Sequence, residues 1–467
     1  MPLILGTNSI KDVGYEVDNS LRFDDGSSDG LQITGQNGNR KTFTFSCWVK
    51  RGVFGENFLF NSRIDASNHF LIRFTGSHQL ELLNRTSASN NFILTTNRLF
   101  RDVSAWYHIV VAVDTTQSTA NDRVKFYVNG VQETSFATQT MGSQNADLSL
   151  NISTATHYIG QEHTSGSNFF DGYMAEVVFI DGTAQSNTDL GEFDEDSSVW
   201  KPIDVSGLTF GTNGFYLDFE DSSALGNDAS SNSNNFTVNN LTAIDQSTDT
   251  CTNNFCTLNP LFPNSGLTFS EGNLNVVVSD ANYRHAVSSM AVDSGKWYAE
   301  FKAVSGFSSV DKNVGIYRTD NTYSATTGLG NYTTGTTWCY GATGNIRTNN
   351  GNSDSEATFT DGDIIGIAMD LDNNKLYFSK NGTYVNSGDP TSGSTGTGSY
   401  AIVSGDFYHF AATSISSGGA GLWSCNFGSP AYAISSGNTD GNGYGNFEYA
   451  VPSGYYTLNT KNLAEYG

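Results

Sequence analysis

The stretch DGDIIGIAMDLDNNKLYFSKNG, residues 361–382, decides the fold. An apolar run precedes the polar group at 372–374, and a second run, rich in aromatic residues, ends at Asn381-Gly382. Asn and Gly tolerate positive φ, so this pair permits the type I′ turn that continues an antiparallel sheet. The stretch therefore predicts a β-hairpin whose second strand turns again at Asn381-Gly382.

The same pattern occurs a second time, in AWYHIVVAVDTTQSTANDRVKFYVNG, residues 105–130. Each copy has an apolar strand, a polar turn led by Asp, a strand with Lys and aromatic residues, and then Asn-Gly. Apolar residues recur with period two along the chain, and no long segment has them at helical spacing. We therefore predict an all-β protein with two antiparallel, jelly-roll-like β-sandwich domains in tandem.

Alternation along two other segments indicates which side chains share a face. In TFTFSCWVKR (42–51), one face is predicted to carry Phe43, Phe45, Cys47 and Val49. In YMAEVVFIDG (173–182), strict alternation sets Met174, Glu176, Val178 and Ile180 against Ala175, Val177 and Phe179. Apolar residues on both faces are typical of a central strand that is covered on each side.

Composition restricts the partners. The chain of 467 residues is 37% hydrophobic and 13% aromatic, enough for more than one core. Its 23 Lys and Arg against 47 Asp and Glu give a net charge of −24. A field of that sign repels phosphate groups, so neither nucleic acid nor an anionic membrane is expected as a partner. No run approaches the ~18 apolar residues of a membrane span, so membrane insertion is not expected either.

Composition shifts predict four segments. We predict an N-terminal arm at 1–17, a first sandwich at 18–189, an acidic, Asn/Ser-rich and partly structured connector at 190–262, and a second sandwich with a C-terminal extension at 263–467. The arm begins MPLILGTNSIKD, and its apolar residues Leu3, Ile4 and Leu5 are predicted to dock on another subunit or on a copy of the same chain.

Several motifs resemble known domains. SLRFDDGSSDGLQI (20–33), followed by FTFSCWVKR and FFDGYMAEVVFI, resembles a concanavalin A-like laminin-G sandwich over roughly 18–185. GKWYAEFK (295–302), VGIYR, WCYGATGNIRTNNG and the opening stretch resemble a SPRY domain over about 265–430. The connector and the tail GYYTLNTKNL resemble segments of virion structural proteins of marine tailed bacteriophages.

These resemblances imply a non-enzymatic virion structural or adhesion protein of a tailed phage, as a fibre, spike or decoration on the capsid or tail. They imply other virion subunits as partners, a homo-oligomer, and contact with host surface glycans. Two alternatives stay open: a purely structural capsid or tail decoration without a ligand, and a glycan-degrading enzyme.

The enzyme alternative depends on paired carboxylates, because glycoside hydrolysis needs two of them beside the scissile bond. The best candidate is GEFDEDS, with Glu192, Asp194 and Asp196 in alternation. This run lies outside the apolar strands and is interpreted as a solvated acidic loop. No G-x-S-x-G elbow and no zinc-type His spacing occurs, so no catalytic residue is predicted.

Glycan binding needs aromatic rings beside fixed polar groups. The candidates are Tyr317, Arg318 and Tyr323 in GIYRTDNTYS, together with Tyr332 and Trp338 in GNYTTGTTWCY. The SPRY resemblance implies binding loops at one end of the sandwich, which fits the first three.

Calcium is the one ion that the sequence suggests, because it takes oxygen ligands from Asp, Asn and backbone. FDDGSSDG brings Asp24, Asp25 and Asp29 into one tight loop, and this cluster resembles the rim sites of laminin-G-like domains. A second acidic group contains Asp218, Glu220, Asp221 and Asp228. Cys251 and Cys256 are either a local disulfide or two thiols.

Overall fold

The structure is a computed structural model that describes residues 14–163, 166, 168–262, 266–278, 282–307, 312–414 and 420–467. The chain divides into two compact units, with the division between Thr252 and Asn253. We call them the N-terminal and C-terminal domains. The apolar residues Leu3, Ile4 and Leu5 of the predicted arm lie outside the described residues.

The described part of the N-terminal domain is built from short and medium antiparallel strands. They are β1 (Ser20–Phe23), β2 (Gly30–Thr34), β3 (Thr42–Arg51), β4 (Asn57–Asp65), β5 (Asn68–Phe74), β6 (Gln79–Thr86), β7 (Ser89–Leu99), β8 (Trp106–Asp114), β9 (Val124–Val128), β10 (Val131–Gln132), β11 (Phe136–Thr140), β12 (Thr156–Ile159), β13 (Gly172–Asp181), β14 (Glu192–Phe193), β15 (Trp200–Lys201), β16 (Phe215–Leu217), β17 (Thr237–Asn239) and β18 (Gln246–Ser247). Short 3₁₀ helices lie at Ala120–Asp122, Asn187–Asp189 and Ala243–Asp245.

Two sheets form the sandwich. The first has the order β10-β9-β8-β3-β13-β1-β18, with β16 also paired to β13, and the second has the order β11-β7-β6-β5-β4-β12-β2-β17. Their inner faces share one apolar core, in which Phe43 of the first sheet packs edge-on against Phe70 of the second at 5.4 Å between ring centroids. Phe43, Phe45, Cys47 and Val49 all lie in this core, which confirms their predicted common face.

Strand β13 corrects the predicted strict alternation. Its pairing register with β3 shifts between Ala175 and Val178, and Glu176 has a φ of 51° at this bulge. A bulge inserts one extra residue, so the side chains beyond it change face. Met174 therefore shares the inner core with Val177 and Phe179, whereas the prediction had set it against them.

The predicted connector at 190–262 is divided in the structure. Residues 190–252 belong to the N-terminal domain, where β16 and β18 extend the first sheet and β17 extends the second. Residues around Trp200 and Phe210 pack with the outward-facing side chains of the first sheet. Both faces of that sheet are therefore covered, as the apolar pattern of β13 indicated.

The described part of the C-terminal domain forms a second antiparallel sandwich. Its strands are β19 (Leu267–Ser270), β20 (Asn275–Val278), β21 (Arg284–Val287), β22 (Lys296–Ser305), β23 (Asn313–Arg318), β24 (Thr337–Gly341), β25 (Asn345–Thr348), β26 (Gly351–Ser355), β27 (Ile364–Asp370), β28 (Lys375–Lys380), β29 (Thr383–Tyr384), β30 (Tyr400–Ala401), β31 (Tyr408–Ser414), β32 (Gly421–Asn426) and β33 (Tyr456–Thr457). Short 3₁₀ helices lie at Val385–Ser387 and Pro390–Thr395, and the α-helix α1 spans Thr460–Tyr466.

One sheet has the order β19-β20-β32-β22-β27-β28-β29, with β30 paired to β28 and β33 paired in parallel to β22. The other has the order β21-β31-β23-β24-β25-β26. Tyr340 of β24 meets Phe378 of β28 at 6.0 Å between ring centroids, which is one contact between the sheets. No helix within the described residues is long and apolar enough to cross a lipid bilayer.

The two repeated hairpins are confirmed. β27 pairs with β28, and Asn381 (φ 48°) and Gly382 (φ 78°) form the two-residue turn into β29. In the N-terminal domain, β8 pairs with β9, and Asn129 (φ 47°) and Gly130 (φ 78°) turn the chain into β10. Positive φ at both central residues is the mark of a type I′ turn.

Candidate functional site

A cleft of about 480 Å³ opens in the C-terminal domain, in loops next to β21, β24 and β25. This volume lies within the range of small-ligand sites, about 300–1,000 Å³. The cleft is lined by Tyr283, Thr322, Ser324, Thr326, Thr327, Asn331, Tyr332, Thr333 and Asn350.

The lining is polar, and the described residues that form it include no Asp, Glu, Lys, Arg or His. Four of the lining side chains make no hydrogen bond within the described part of the chain. Thr322, Thr333 and Asn350 are exposed, and Asn331 is half-buried. Their hydroxyl and amide groups can therefore donate to a ligand and accept from it.

His285 fixes part of this lining from inside the domain. Its Nε2 lies 3.0 Å from the carbonyl oxygen of Thr327 and 3.1 Å from the hydroxyl of Tyr332. A carbonyl only accepts, so Nε2 carries the proton and donates it. The hydroxyl of Tyr332 also accepts the backbone N–H of Ser324 at 3.1 Å. Burial lowers the pKa of His285 to about 4, so the ring is neutral near pH 7 and the loop is held without a charge.

The structure places the predicted ligand residues around the same loop but buries three of them. Tyr317, Tyr332 and Trp338 are buried, and of the five candidates Tyr332 lines the cleft. Tyr317 packs edge-on against Tyr332, and the indole N–H of Trp338 donates to the carbonyl oxygen of Ala401 at 3.0 Å. These rings pack inside the domain, and a ligand contact by any of them stays a prediction.

The other two candidates are half-buried, and both have protein partners. The Arg318 guanidinium is paired with Asp320, and its Nε lies 3.8 Å from Oδ2 of Asp406. The hydroxyl of Tyr323 accepts from Nη1 of Arg284 at 2.7 Å and donates to the carbonyl of Tyr283 at 3.0 Å. Sequence reasoning therefore named residues around this cleft but missed its open Thr and Asn side chains. The polar run 319–336 between two strands was the pattern that could have indicated them.

In the N-terminal domain, Asp24 and Asp25 lie close to Asp171. One carboxylate oxygen from each of these three residues lies within 4.8 Å of the others. Asp29 instead supports the loop, because its Oδ2 accepts the backbone N–H of Asp24 at 2.9 Å. Carboxylate oxygens suit calcium. Calcium binding stays a prediction, in which Asp24, Asp25 and Asp171 would hold the ion and Asp29 would shape the loop.

The same domain contains a Ser–His pair in which the hydrogen bond runs in the opposite direction to that of a catalytic pair. The indole N–H of Trp200, which can only donate, lies 2.9 Å from Nδ1 of His108. Nδ1 therefore accepts, and Nε2 carries the proton and donates to Oγ of Ser46 at 2.8 Å. A general base must accept the serine proton instead. Burial also lowers the pKa of His108 to about 3, so the ring is a neutral structural group.

The acidic run GEFDEDS forms a capped turn at the surface. Asp194 accepts hydrogen bonds from the backbone N–H and the hydroxyl of Ser197, which lower its pKa to about 2, and Lys201 adds to this effect. Oε1 of Glu192 lies 3.3 Å from Nζ of Lys201. A carboxyl held in its ionised form cannot act as the general acid of a hydrolase.

Glu176 is an acidic side chain at the bulge of β13. It is buried, and its Oε2 accepts from the hydroxyls of Tyr216 at 2.8 Å and Tyr15 at 3.4 Å. Burial, with smaller contributions from the negative charges of Asp218 and Glu220, raises its pKa to about 7. The folded domain therefore binds this proton more tightly than the unfolded chain does.

A pH dependence follows. The stability that this carboxyl contributes is fully present below its ordinary pKa of 4.5 and is lost as the pH rises to about 7. Glu176→Gln stays neutral, so its unfolding free energy relative to the wild type is expected to rise by about 2 kcal/mol from pH 5 to pH 8. Chemical unfolding at both pH values measures this. Glu195→Gln, at an exposed carboxylate, is the control, and equal pH profiles for Glu176→Gln and wild type would contradict the assignment.

Comparisons with known proteins agree with this division into two sandwiches. Residues 25–187 match the family model described as concanavalin A-like lectin/glucanases superfamily, and residues 296–403 match the SPRY domain model. The chain thus contains a concanavalin A-like domain of the laminin-G type followed by a SPRY domain. No curated protein matches the sequence.

Solved structures resemble parts of the chain. The SPRY domain of human HERC1 is 18% identical with a TM-score of 0.28, over 34% of this chain and 92% of that one. A putative carbohydrate binding protein from Bacteroides ovatus is 16% identical with a TM-score of 0.34, over 48% and 59%. A SAP-like pentraxin from Limulus polyphemus is 14% identical with a TM-score of 0.28, over 37% and 80%.

Proposed function

We propose that this protein is a non-enzymatic recognition protein that binds a neutral glycan in the cleft of its SPRY domain, on the surface of a tailed-phage virion. The observation that carries the glycan proposal is the cleft lining, which has open Thr and Asn side chains and, among the described residues, no Asp, Glu, Lys, Arg or His. Hydroxyls of a sugar pair with such groups without the cost of burying an unpaired charge.

The charge of the protein favours a neutral ligand over an acidic one. The whole chain carries −24, and the part of the cleft wall that the structure describes has no Lys, Arg or His to offset it. An acidic sugar would therefore meet repulsion without a compensating ion pair. A ligand fixed by neutral hydrogen bonds should bind with an affinity that changes little with ionic strength.

The contacts of three acidic side chains and of the Ser–His pair in the N-terminal domain support the non-enzymatic part of the proposal. Glu192 and Asp194 are bound to Lys201, Glu176 is buried under tyrosines, and His108 donates to Ser46. None of these groups lines the cleft. Hydrolysis would need two carboxyls beside the bound sugar.

Binding of the full chain to an array of neutral and acidic glycans tests the proposal. We expect neutral glycans to bind, and we expect Asn331→Ala and Thr322→Ala each to weaken the best one about tenfold, the value of one hydrogen bond. Thr395→Ala, at an exposed threonine outside the cleft lining, should leave the affinity unchanged.

The outcomes separate the alternatives. Absence of any glycan binding would favour a purely structural decoration, and turnover of a bound polysaccharide would favour an enzyme. An affinity for glycan that is unchanged in both cleft variants would place the site elsewhere.

The virion assignment is supported by the resemblance of residues 225–260 and of GYYTLNTKNL to structural proteins of marine tailed phages. We infer from it that other virion subunits, or further copies of this chain, are the assembly partners. Antibody labelling of residues 1–12 in intact particles tests whether the N-terminal arm is covered there.

A further inference from the structure

Lys50 and Asp249 form an ion pair in the interior of the N-terminal domain. Nζ of Lys50 lies 2.7 Å from Oδ2 of Asp249, and both side chains are only 1% exposed. Burial removes both ions from water, which carries a large desolvation penalty. A chemical route that removes both charges would remove that cost.

Aromatic side chains surround this ion pair. Lys50 and Asp249 lie among aromatic side chains, since Nζ is 5.5 Å from the ring centroid of Tyr173 and the indole of Trp106 contacts the carboxylate. Trp48, Trp106 and Tyr173 belong to one buried cluster. In such an apolar site, transfer of one proton across the 2.7 Å hydrogen bond gives a free amine and a carboxylic acid.

Both reactants are held in place. Lys50 lies in β3, paired with Trp106 of β8 and Tyr173 of β13. The backbone N–H of Asp249 donates to Oγ of Ser247 at 3.1 Å, and its carbonyl accepts from Oγ of Ser20 at 2.6 Å. Well-oriented neighbouring groups react with effective concentrations of about 10⁵–10⁸ M.

A donor also lies where charge would develop. The indole N–H of Trp106 donates to Oδ1 of Asp249 at 3.1 Å. This oxygen becomes the oxyanion when a nucleophile adds to Cγ, and a fixed N–H stabilises that charge.

We propose that Lys50 and Asp249 condense to form an intramolecular isopeptide bond. After the proton transfer, the Nζ lone pair attacks Cγ of Asp249, and a C–N bond forms. The C–Oδ2 bond then breaks, and Oδ2 leaves as water with the two protons lost from the ammonium group. An ammonium and a carboxylate give one amide and one water, so no oxidant or other reactant is needed.

This bond would fasten the segment after β18 to the central strand β3. The closed loop spans residues 50–249, which is most of the N-terminal domain. A cross-link of this length restricts the unfolded chain and stabilises the folded one. The proposal is independent of the glycan site, which lies in the other domain.

Intact-mass measurement of the denatured full chain tests the proposal. We expect the wild type to be lighter than its calculated mass by one water, and proteolysis to yield a branched peptide that joins Lys50 to Asp249. The Lys296–Asp370 pair is an internal control, because its Nζ–Oδ2 distance is 3.0 Å but Lys296 is 25% exposed. Hydrated Lys296 should remain a free amine in the peptide map.

Lys50→Arg keeps the positive charge but lacks the amine, and it should have its full calculated mass. A loss of water that persists in Lys50→Arg would indicate a succinimide instead and would overturn the proposal. A wild-type mass equal to the calculated one would overturn it directly, whether or not the variant folds.

Discussion

Replacement of Glu300 by alanine is expected to lower the unfolding free energy of the C-terminal domain by about 3–5 kcal/mol, because it leaves several donors without an acceptor. Glu300 lies in β22 and is fully buried. Its Oε1 accepts the backbone N–H of Tyr449 at 2.8 Å and the hydroxyl of Tyr298 at 3.2 Å. Its Oε2 accepts the backbone N–H of Glu448 at 3.0 Å and the side-chain amide of Asn426 at 3.4 Å.

This side chain therefore holds the C-terminal extension on the sheet. Equilibrium unfolding in urea measures the loss, and hydrogen exchange of peptides around 444–450 locates it. Asp293→Ala, which removes an exposed carboxylate from the same domain, should change stability by less than about 0.5 kcal/mol. If Glu300→Ala kept both the unfolding free energy of the domain and the exchange protection of Tyr449, the hydrogen bonds to Glu300 would not stabilise the domain.

Much of the fold could be predicted from the sequence, because turns and alternation depend on near neighbours. The two Asn-Gly turns needed only the preference of these residues for positive φ. The common face of Phe43 and Phe45 needed only the period of a strand. The bulge at Glu176, where φ is 51°, was not predictable in this way, because it belongs to the pairing of β13 with β3, which are far apart in the sequence.

The predicted connector shows a second limit of prediction from sequence. Residues 190–252 have a polar, loop-like composition, yet β16, β17 and β18 add to both sheets of the first sandwich. Such short strands depend on pairing with β13, β2 and β1, which are distant in sequence. Composition could indicate a boundary but not this pairing.

The candidate site could be predicted only in part. Aromatic residues mark a glycan site when their faces are exposed, but Tyr317 and Trp338 complete the core of a small domain instead. The open cleft is lined by Thr322, Asn331 and Asn350, which belong to loops that the fold brings together. The fold also brings Asp171 close to Asp24, although more than half of the sequence of the N-terminal domain separates the two residues.

Phe179→Ala is expected to lower the unfolding free energy of the N-terminal domain by about 3–5 kcal/mol, the usual cost of removing a buried phenylalanine ring. Phe179 of β13 is fully buried, and its ring stacks on Phe43 of β3, Phe60 of β4 and Phe215 of β16 with centroids 5.5–5.6 Å apart. The cavity would therefore weaken the contact between the two sheets and the docking of β16 together.

Phe193 provides the matched control, because its side chain is 48% exposed, and Phe193→Ala should cost less than about 1 kcal/mol. Because a chain with two domains need not unfold in a single step, the measurement follows hydrogen exchange of peptides from β13 and β16 along with urea unfolding. We expect protection to fall in both strands for Phe179→Ala. Loss confined to β16 would mean that the sheets pack without this ring, and equal losses for both variants would mean that the stacked phenylalanines are not the core of the first sandwich.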